Sequence, residues 1–443
     1  IAFYAIGRFG ASLDDIAHLA HGLSQMIQLL ATRRFGPLFV TQFLGAFNDN
    51  LYRTALVFIV AYEIAAADPA RAAMLASAAA GLFILPFFLF SGIAGSVADR
   101  RDKAAIARLV KLFEIMFMAL GWLALATGLL PLALAVVFLM GCHSTLFGPM
   151  KYAILPQHLP PRELVAGTGL VEAATFVAIL LGQVAGGLLA TSVVGPAALG
   201  IAVIGWLAAR AIPPAPPEAA PEILGPIDWN PLSSSRTALA GAFASAALWR
   251  ATLAISWFWA LGAIYTSQFV PLAKNNMGGT EAVATLFLAA FSVGIAAGSI
   301  AVGRWLKGRI STRLCVPAGL VMAAAGADLW FAVAGIGAAP KDVAGLLAGL
   351  AGWRALVDLL VMAVAGGVFS VPLYAVLQTA GAAGARATAI AANNIINSLF
   401  QVVAVLGAGA AVSAGAGVPL VLLLASISVL AVLPGLRALN RLS

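Results

Sequence analysis

Phe35-Gly-Pro-Leu-Phe-Val-Thr-Gln42-Phe-Leu-Gly-Ala-Phe-Asn48-Asp49-Asn50-Leu-Tyr-Arg53-Thr-Ala-Leu-Val-Phe-Ile-Val-Ala-Tyr62 is long and apolar enough to cross a bilayer, yet it carries three polar residues at its centre and an arginine one turn later. A central Asp or Arg costs roughly 2.5 to 3.5 kcal/mol on insertion scales, so ionisable residues inside a span face a bundle interior or a wet cavity. This stretch therefore reads as a membrane helix built for function.

The rest of the chain supplies the membrane context. Hydrophobic residues make up 62% of it and charged residues 9%, and the mean hydropathy is +1.01. A span needs about 20 mostly apolar residues. The sequence offers about twelve, near 36–62, 74–97, 104–128, 131–154, 164–190, 195–212, 250–272, 282–305, 313–336, 352–377, 386–412 and 417–438. None alternates as a barrel strand would, and lipid requires backbone polar groups to be satisfied within the span, so the expectation is an all-α polytopic membrane protein.

Lys and Arg orient it. With the N-terminus inside, eighteen of them, among them Arg33, Arg100, Lys103, Arg162, Arg304 and Arg313, fall on the inner side, against Arg71, Lys274, Lys341 and Arg354 outside. That bias places both termini in the cytoplasm. The net charge of +8 is then topogenic, with no nucleic acid implied, and the basic rim suits anionic lipid headgroups.

Cys142 and Cys315 sit in or beside spans and read as buried small hydrophobes, with no metal site in view. Residues 1–34 form an N-terminal cytoplasmic segment; its first thirty lack the apolar core of a signal or a span, and Met26 would make a sensible start. A bundle of six spans over 35–212 is followed by a cytoplasmic linker, 213–249, that opens with the proline-rich run Pro213 to Asn230. Leu232 to Arg250 reads as a surface helix, before a second six-span bundle over 250–438 and a tail at 439–443.

The two bundles look alike. Phe147-Gly-Pro-Met-Lys-Tyr152-Ala-Ile-Leu155 matches Phe369-Ser-Val-Pro-Leu-Tyr374-Ala-Val-Leu377 at an offset of 222, and the same register sets Glu172 opposite Asn394 and Thr175 opposite Asn397. A fixed register through two helices and a loop points to duplication. Parallel six-span repeats resemble the major facilitator organisation, which implies a substrate site near the midplane between the halves. Gly95-Ser-Val-Ala-Asp99-Arg100-Arg101-Asp-Lys103 resembles that superfamily's loop between the second and third helices, and the resemblance makes Gly95, Asp99, Arg100 and Arg101 a conformational latch. The matching stretch Gly298 to Arg304 keeps glycines and a base but lacks the acid.

A narrower resemblance rests on Gln42 to Asn50, on Gly148-Pro-Met-Lys151-Tyr152, on Gly169-Leu-Val-Glu172, on Ile179-Leu-Leu-Gly182-Gln-Val-Ala-Gly186-Gly187 and on Gly366 to Gln378 with the helix of Asn393 and Asn394. These motifs resemble the bacterial lysophospholipid transporter family of the major facilitator superfamily over roughly residues 26–440. The resemblance implies an inner-membrane transporter that moves lysophosphatidylethanolamine and lysophosphatidylglycerol inward for reacylation by alternating access. Some family members are fused to an acyltransferase; here the chain reaches Ser443 without one, so a separate cytoplasmic acyltransferase is the expected partner of a monomeric transporter.

Chemistry assigns roles within that expectation. Lys151 would attract a phosphate as a point charge. Asp49 and Glu172 would accept an ammonium or a coupling cation, sodium or proton, and no cofactor is implied. Asn48, Asn50, Gln378, Asn393, Asn394 and Asn397 offer neutral donors and acceptors, and Arg53 and Tyr152 complete the candidate binding set. Each charge has a plainer reading. Asp49 and Arg53 are spaced i,i+4 and would neutralise each other; Lys111 and Glu114 read as a structural pair; Lys151 would snorkel; His143 would be a hydrogen-bonded structural residue. Phe83, Phe87, Phe88 and Phe90 read mainly as packing or lipid-facing surface.

Gly182-x-x-x-Gly186 and Gly294-x-x-x-Gly298 read as close-packing surfaces. The first resembles the fifth-helix signature of proton-coupled drug antiporters, but Gln183 stands where that signature has proline, which lowers the alternative of an ion-coupled drug or amphiphile exporter. An enzyme finds little support: His158-Leu-Pro-Pro-Arg-Glu163 is the nearest approach to an acyltransferase motif and has the wrong acid.

Overall fold

The computed structural model describes residues 28–64, 68–337, 339 and 341–441. Counting helices of eight or more residues, these are α1 Gly36–Ile59, α2 Pro69–Arg100, α3 Lys103–Thr127, α4 Leu130–Ala153, α5 Pro161–Leu188, α6 Thr191–Arg210, α7 Pro231–Ala244, α8 Ala246–Pro271, α9 Glu281–Trp305, α10 Cys315–Ala334, α11 Leu350–Thr379, α12 Arg386–Ser413, α13 Val418–Ile427 and α14 Leu433–Asn440. Prolines at the first helical positions and side-chain caps set the starts. Asp68 accepts from Arg71 N at 3.0 Å and Asp102 from Ala105 N at 2.8 Å. Gly128, at φ +67°, closes α3 in the left-handed conformation that a side chain resists.

Eleven helical stretches among the described residues, with 418–440 taken as one, are long and apolar enough to cross a membrane. α1 adds 24 residues of sufficient length, and its Asn48-Asp49-Asn50 centre and Arg53 are what hold its hydropathy down. The chain is a multi-pass helical membrane protein.

The packing is two-fold. α1 lies on α5, α2 on α4 and α3 on α6; the repeat counterparts do the same, α8 on α12, α9 on α11 and α10 on α13. Between the halves α2 packs on α12 and α5 on α9, one contact seen twice. Tyr152 and Tyr374, exact repeat mates, stack on each other with ring centroids 4.6 Å apart and planes 12° apart, as residues near a pseudo-two-fold axis must. Glycine permits the close approach: a Cβ on Gly95 would run into Ala391 and Thr388 of α12, and one on Gly169 into the Ser299 carbonyl of α9.

The linker ties the halves at the end where Asp99, Lys103 and Arg386 cluster, here called the basic end. Arg100 donates to the Leu224 and Gly225 carbonyls, and Arg386 pairs with Glu218 at 2.6 Å. α7 lays its first turn against Gly92 of α2 and buries Ala238 and Ala242 against Ala392 of α12, so it straps the α2–α12 seam. The surface helix expected over 232–250 stops at Ala244, because Ser245 is extended and its side chain caps α8 from Leu248 N at 3.4 Å. Ala246 to Arg250 therefore belong to the membrane helix.

Candidate functional site

A cavity of about 400 Å³ lies between the halves. Helical periodicity builds its walls: Gln42, Ala46, Asp49, Asn50 and Arg53 repeat along one face of α1, and Ser144, Phe147, Gly148, Lys151 and Tyr152 along one face of α4. α12 contributes Asn394, Asn397 and Gln401, and α5 contributes Thr175 and Gln183. The same cavity is lined by Phe83, Ile84 and Phe87 of α2, Phe176 of α5, Phe258 and Trp259 of α8, and Leu288 and Phe291 of α9. A head with charges and a tail without them would each find a matching surface.

Asp49 and Arg53 do not form the i,i+4 pair that their spacing allows. The Ser144 hydroxyl of α4 donates to Asp49 Oδ2, while Arg53 donates to Asn50 Oδ1 at 2.8 Å and sits over the Phe83 ring, 4.6 Å from its centroid. Arg53 is thus held by an amide and an aromatic face, and Asp49 is held by another helix.

Asn48 faces away from the cavity. Its amide donates to Glu114 Oε1 of α3 at 3.0 Å and to the Ala198 carbonyl of α6 at 3.1 Å. Glu114 also takes the Lys111 ammonium, and His143 Nε2 lies 3.1 Å from its second oxygen. His143 Nδ1 is 3.4 Å from Ser144 Oγ, so a polar chain runs from Asp49 through Ser144 and His143 to Glu114 and Lys111. Gly45 leaves the space that the Lys111 ammonium occupies. The spacing of Lys111 and Glu114 gives their pair from sequence; Ser144 carries no such signal, and only the packing of α1, α3 and α4 joins them.

The second group of candidates gathers around Lys151 and Tyr152, toward the basic end, where contacts cross between the halves. The Lys151 ammonium is 3.5 Å from Thr175 Oγ1 and 4.9 Å from the Tyr152 ring centroid. Tyr152 donates to Glu172 Oε1, and Trp259 Nε1 donates to Tyr374 Oη at 2.8 Å. Asn397 accepts from Ser256 at 2.6 Å. Glu172, Gln378 and Asn393 are completely buried behind the wall, and Thr168 donates to Gln378 Oε1 at 3.1 Å across the two halves. Asp49, Asn50, Arg53, Lys151, Tyr152, Asn394 and Asn397 thus share the cavity, whereas Asn48, Glu172, Gln378 and Asn393 do not reach it.

The latch candidates separate in the same way. Asp99 accepts from Ala387 N and Thr388 N at 2.9 Å each and from Thr388 Oγ1 at 2.7 Å, so an acid from one half caps the first turn of α12 in the other. Gly95 gives the close approach that brings it there, and Arg100 holds the linker. Arg101 is exposed and outside this set. In the second half Val302 occupies the place of the acid, so the matching residue there offers no side-chain acceptor.

The family model described as Major Facilitator Superfamily matches residues 38–405. The chain belongs to that superfamily. Among curated relatives, the lysophospholipid transporter LplT of Serratia proteamaculans (strain 568) is 28% identical over 379 residues, covering 83% of this chain and 85% of that protein. LplT of Escherichia coli O7:K1 (strain IAI39 / ExPEC) is 29% identical over 368 residues, covering 80% and 83%. In fold the chain is similar to the human organic anion transporter MFSD10 (TETRAN), with a TM-score of 0.74 at 17% identity over 91% of this chain and 99% of that one. It is similar also to the transporter FucP in the outward conformation, with a TM-score of 0.67 at 15% identity over 91% and 98%. This member of a transporter superfamily is a transporter rather than an enzyme.

Proposed function

We propose that the protein moves lysophospholipids, lysophosphatidylethanolamine and lysophosphatidylglycerol among them, inward across the inner membrane of a bacterium by alternating access. The observation that carries the reading is that Arg53, Lys151 and Asp49 share one cavity with an aromatic and aliphatic wall. The names of the relatives support it. The phosphate engages Lys151 and Arg53 as charge-assisted contacts, and an ethanolamine ammonium engages Asp49. About 400 Å³ is at the small end for a ligand site, so it takes the head while most of the acyl chain lies along Phe83, Ile84 and Phe87 toward lipid.

The Lys and Arg bias makes the basic end cytoplasmic, with both termini there. Asp99 on α12, the Tyr152–Tyr374 stack and Thr168 on Gln378 then close the cytoplasmic side, and the cavity serves the outer leaflet, where inward transport begins. The delivered lysolipid is a substrate for a separate cytoplasmic acyltransferase.

Equilibrium binding to purified protein tests the reading. Single-chain phospholipids should bind and compete with one another, diacyl forms should compete poorly, and Lys151→Ala and Arg53→Ala should each weaken binding across tail lengths. Equal competition by diacyl phospholipids, or unaltered binding in both variants, would sink it.

A further inference from the structure

Glu172 is completely buried where the cavity does not reach it. It sits one turn beyond Thr168, whose hydroxyl crosses to Gln378 of α11. Its Oε1 accepts from Tyr152, and its Oε2 has no partner. Tyr152 in turn stacks on Tyr374, which accepts from Trp259. A continuous set of contacts therefore runs from Glu172 across the closed interface into α11 and α8.

A buried carboxylate with a free oxygen is costly unless a nearby charge offsets it. Lys151 is the cation beside this acid: its ammonium lies 4.9 Å from the centroid of the Tyr152 ring, whose hydroxyl donates to Glu172. Lys151 also lines the cavity. One lysine thus faces cargo on one side and a buried acid on the other.

We infer that Glu172 is a positioning residue that couples cargo binding to opening of the basic end. This rests on the reading of the cavity as a site for a phosphate headgroup. With the cavity empty, Lys151 offsets Glu172 and the Tyr152–Tyr374 stack stays closed. An anionic headgroup that engages Lys151 leaves the buried carboxylate uncompensated, so α4 and α5 separate from α11 and water reaches Glu172. Cargo shifts the equilibrium because its phosphate interacts differently with the two states, as any ligand that drives a change must.

The test measures the separation of the basic ends by spin labels on Arg101→Cys and Arg309→Cys, both exposed and on opposite halves, with Cys142 and Cys315 replaced by Ser, in lipid nanodiscs. Without cargo, Lys151→Met should widen the distance, and adding Glu172→Gln should close it again. With lysophosphatidylethanolamine, the otherwise unaltered chain should widen. Glu172→Gln, which keeps an acceptor for Tyr152 at nearly constant volume and frees Lys151 of its competing acid, should bind at least as tightly and stay closed. Its turnover in proteoliposomes should fall by about tenfold or more, as loss of a cargo-driven opening step requires, with KM no higher than that of the unaltered chain. A cargo-free Lys151→Met chain that stays closed, or a Glu172→Gln chain that widens with cargo, would overturn the inference. Failure of lysophosphatidylethanolamine to bind the unaltered chain removes the cargo reading instead, and the cargo-free pair of variants still decides the coupling. Where Lys151→Met does not fold, Glu172→Gln alone decides by binding without widening.

Discussion

Asp99→Asn should loosen the first turn of α12 while leaving the fold intact. Asp99 is buried and accepts three hydrogen bonds, from Ala387 N, Thr388 N and Thr388 Oγ1. Asparagine has one acceptor oxygen, so it keeps at best the two donors of Thr388 and turns its own amide toward Ala387 N. Three charge-assisted bonds at the low end of ~1.5 kcal/mol each become two neutral ones of ~1 kcal/mol, a loss of about 2.5 kcal/mol from the closed state. When the seam opens, both partners meet water, so the loss shifts the equilibrium toward the open form by a factor of roughly 60. Amide hydrogen exchange reads this directly. Protection over residues 386–390 should fall by about that factor while the centre of α1 stays protected. Unchanged protection at 386–390 would refute the idea that Asp99 holds the seam by capping α12, and an equal loss throughout α1 would show general destabilisation.

The other predictions concern the polar walls. Lys111→Met should lower stability by about 3–5 kcal/mol, since it leaves Glu114 buried without its cation, and Glu114→Gln in the same chain should recover most of it, as followed by thermal unfolding in detergent. Asp49→Asn should keep the protein folded and cut flux; Arg53→Gln should not rescue it, because Arg53 is held by Asn50 and Phe83, and a rescue in the double variant would restore the i,i+4 pair. Gly169→Ala should force α5 off the Ser299 carbonyl of α9, so spin labels across that seam should report wider separation at the basic end; an unchanged distance would show that the seam accommodates a methyl.

Much of the architecture is legible in the sequence because lipid imposes it. Apolar run length gives the helices, Lys and Arg give the expected orientation, and the 222-residue register finds Tyr152 and Tyr374 before their rings are seen to stack. The site is legible in part. Lys151, Asp49, Arg53 and Asn394 stand out as polar groups in apolar helices, and the helical period carries them to the cavity. What spacing cannot supply is the choice among partners. Asp49 has Arg53 within reach on its own helix, yet Ser144 arrives from α4 and takes the carboxylate. Asn48 and Asp49 are neighbours in sequence, but the 100° turn between them sends one to Glu114 behind the wall and the other to the cavity. Glu172 is legible only as a lone acid in an apolar helix, which suits a cavity wall and a buried position equally, and the structure buries it where the cavity does not reach. The early end of the linker helix is readable in hindsight from Ser245, a good N-cap three residues before Leu248.

Reconstituted flux measures lysophospholipid movement through the cavity most directly. Purified protein in proteoliposomes should carry labelled lysophosphatidylethanolamine between leaflets, with single-chain phospholipids competing, diacyl phospholipids competing poorly, and Asp49→Asn and Lys151→Ala each reducing the rate. Repeating the measurement under sodium and under proton gradients shows whether either ion drives the movement. Extrusion of cationic dyes under a proton gradient, with no binding or movement of lysophospholipids, would contradict the account.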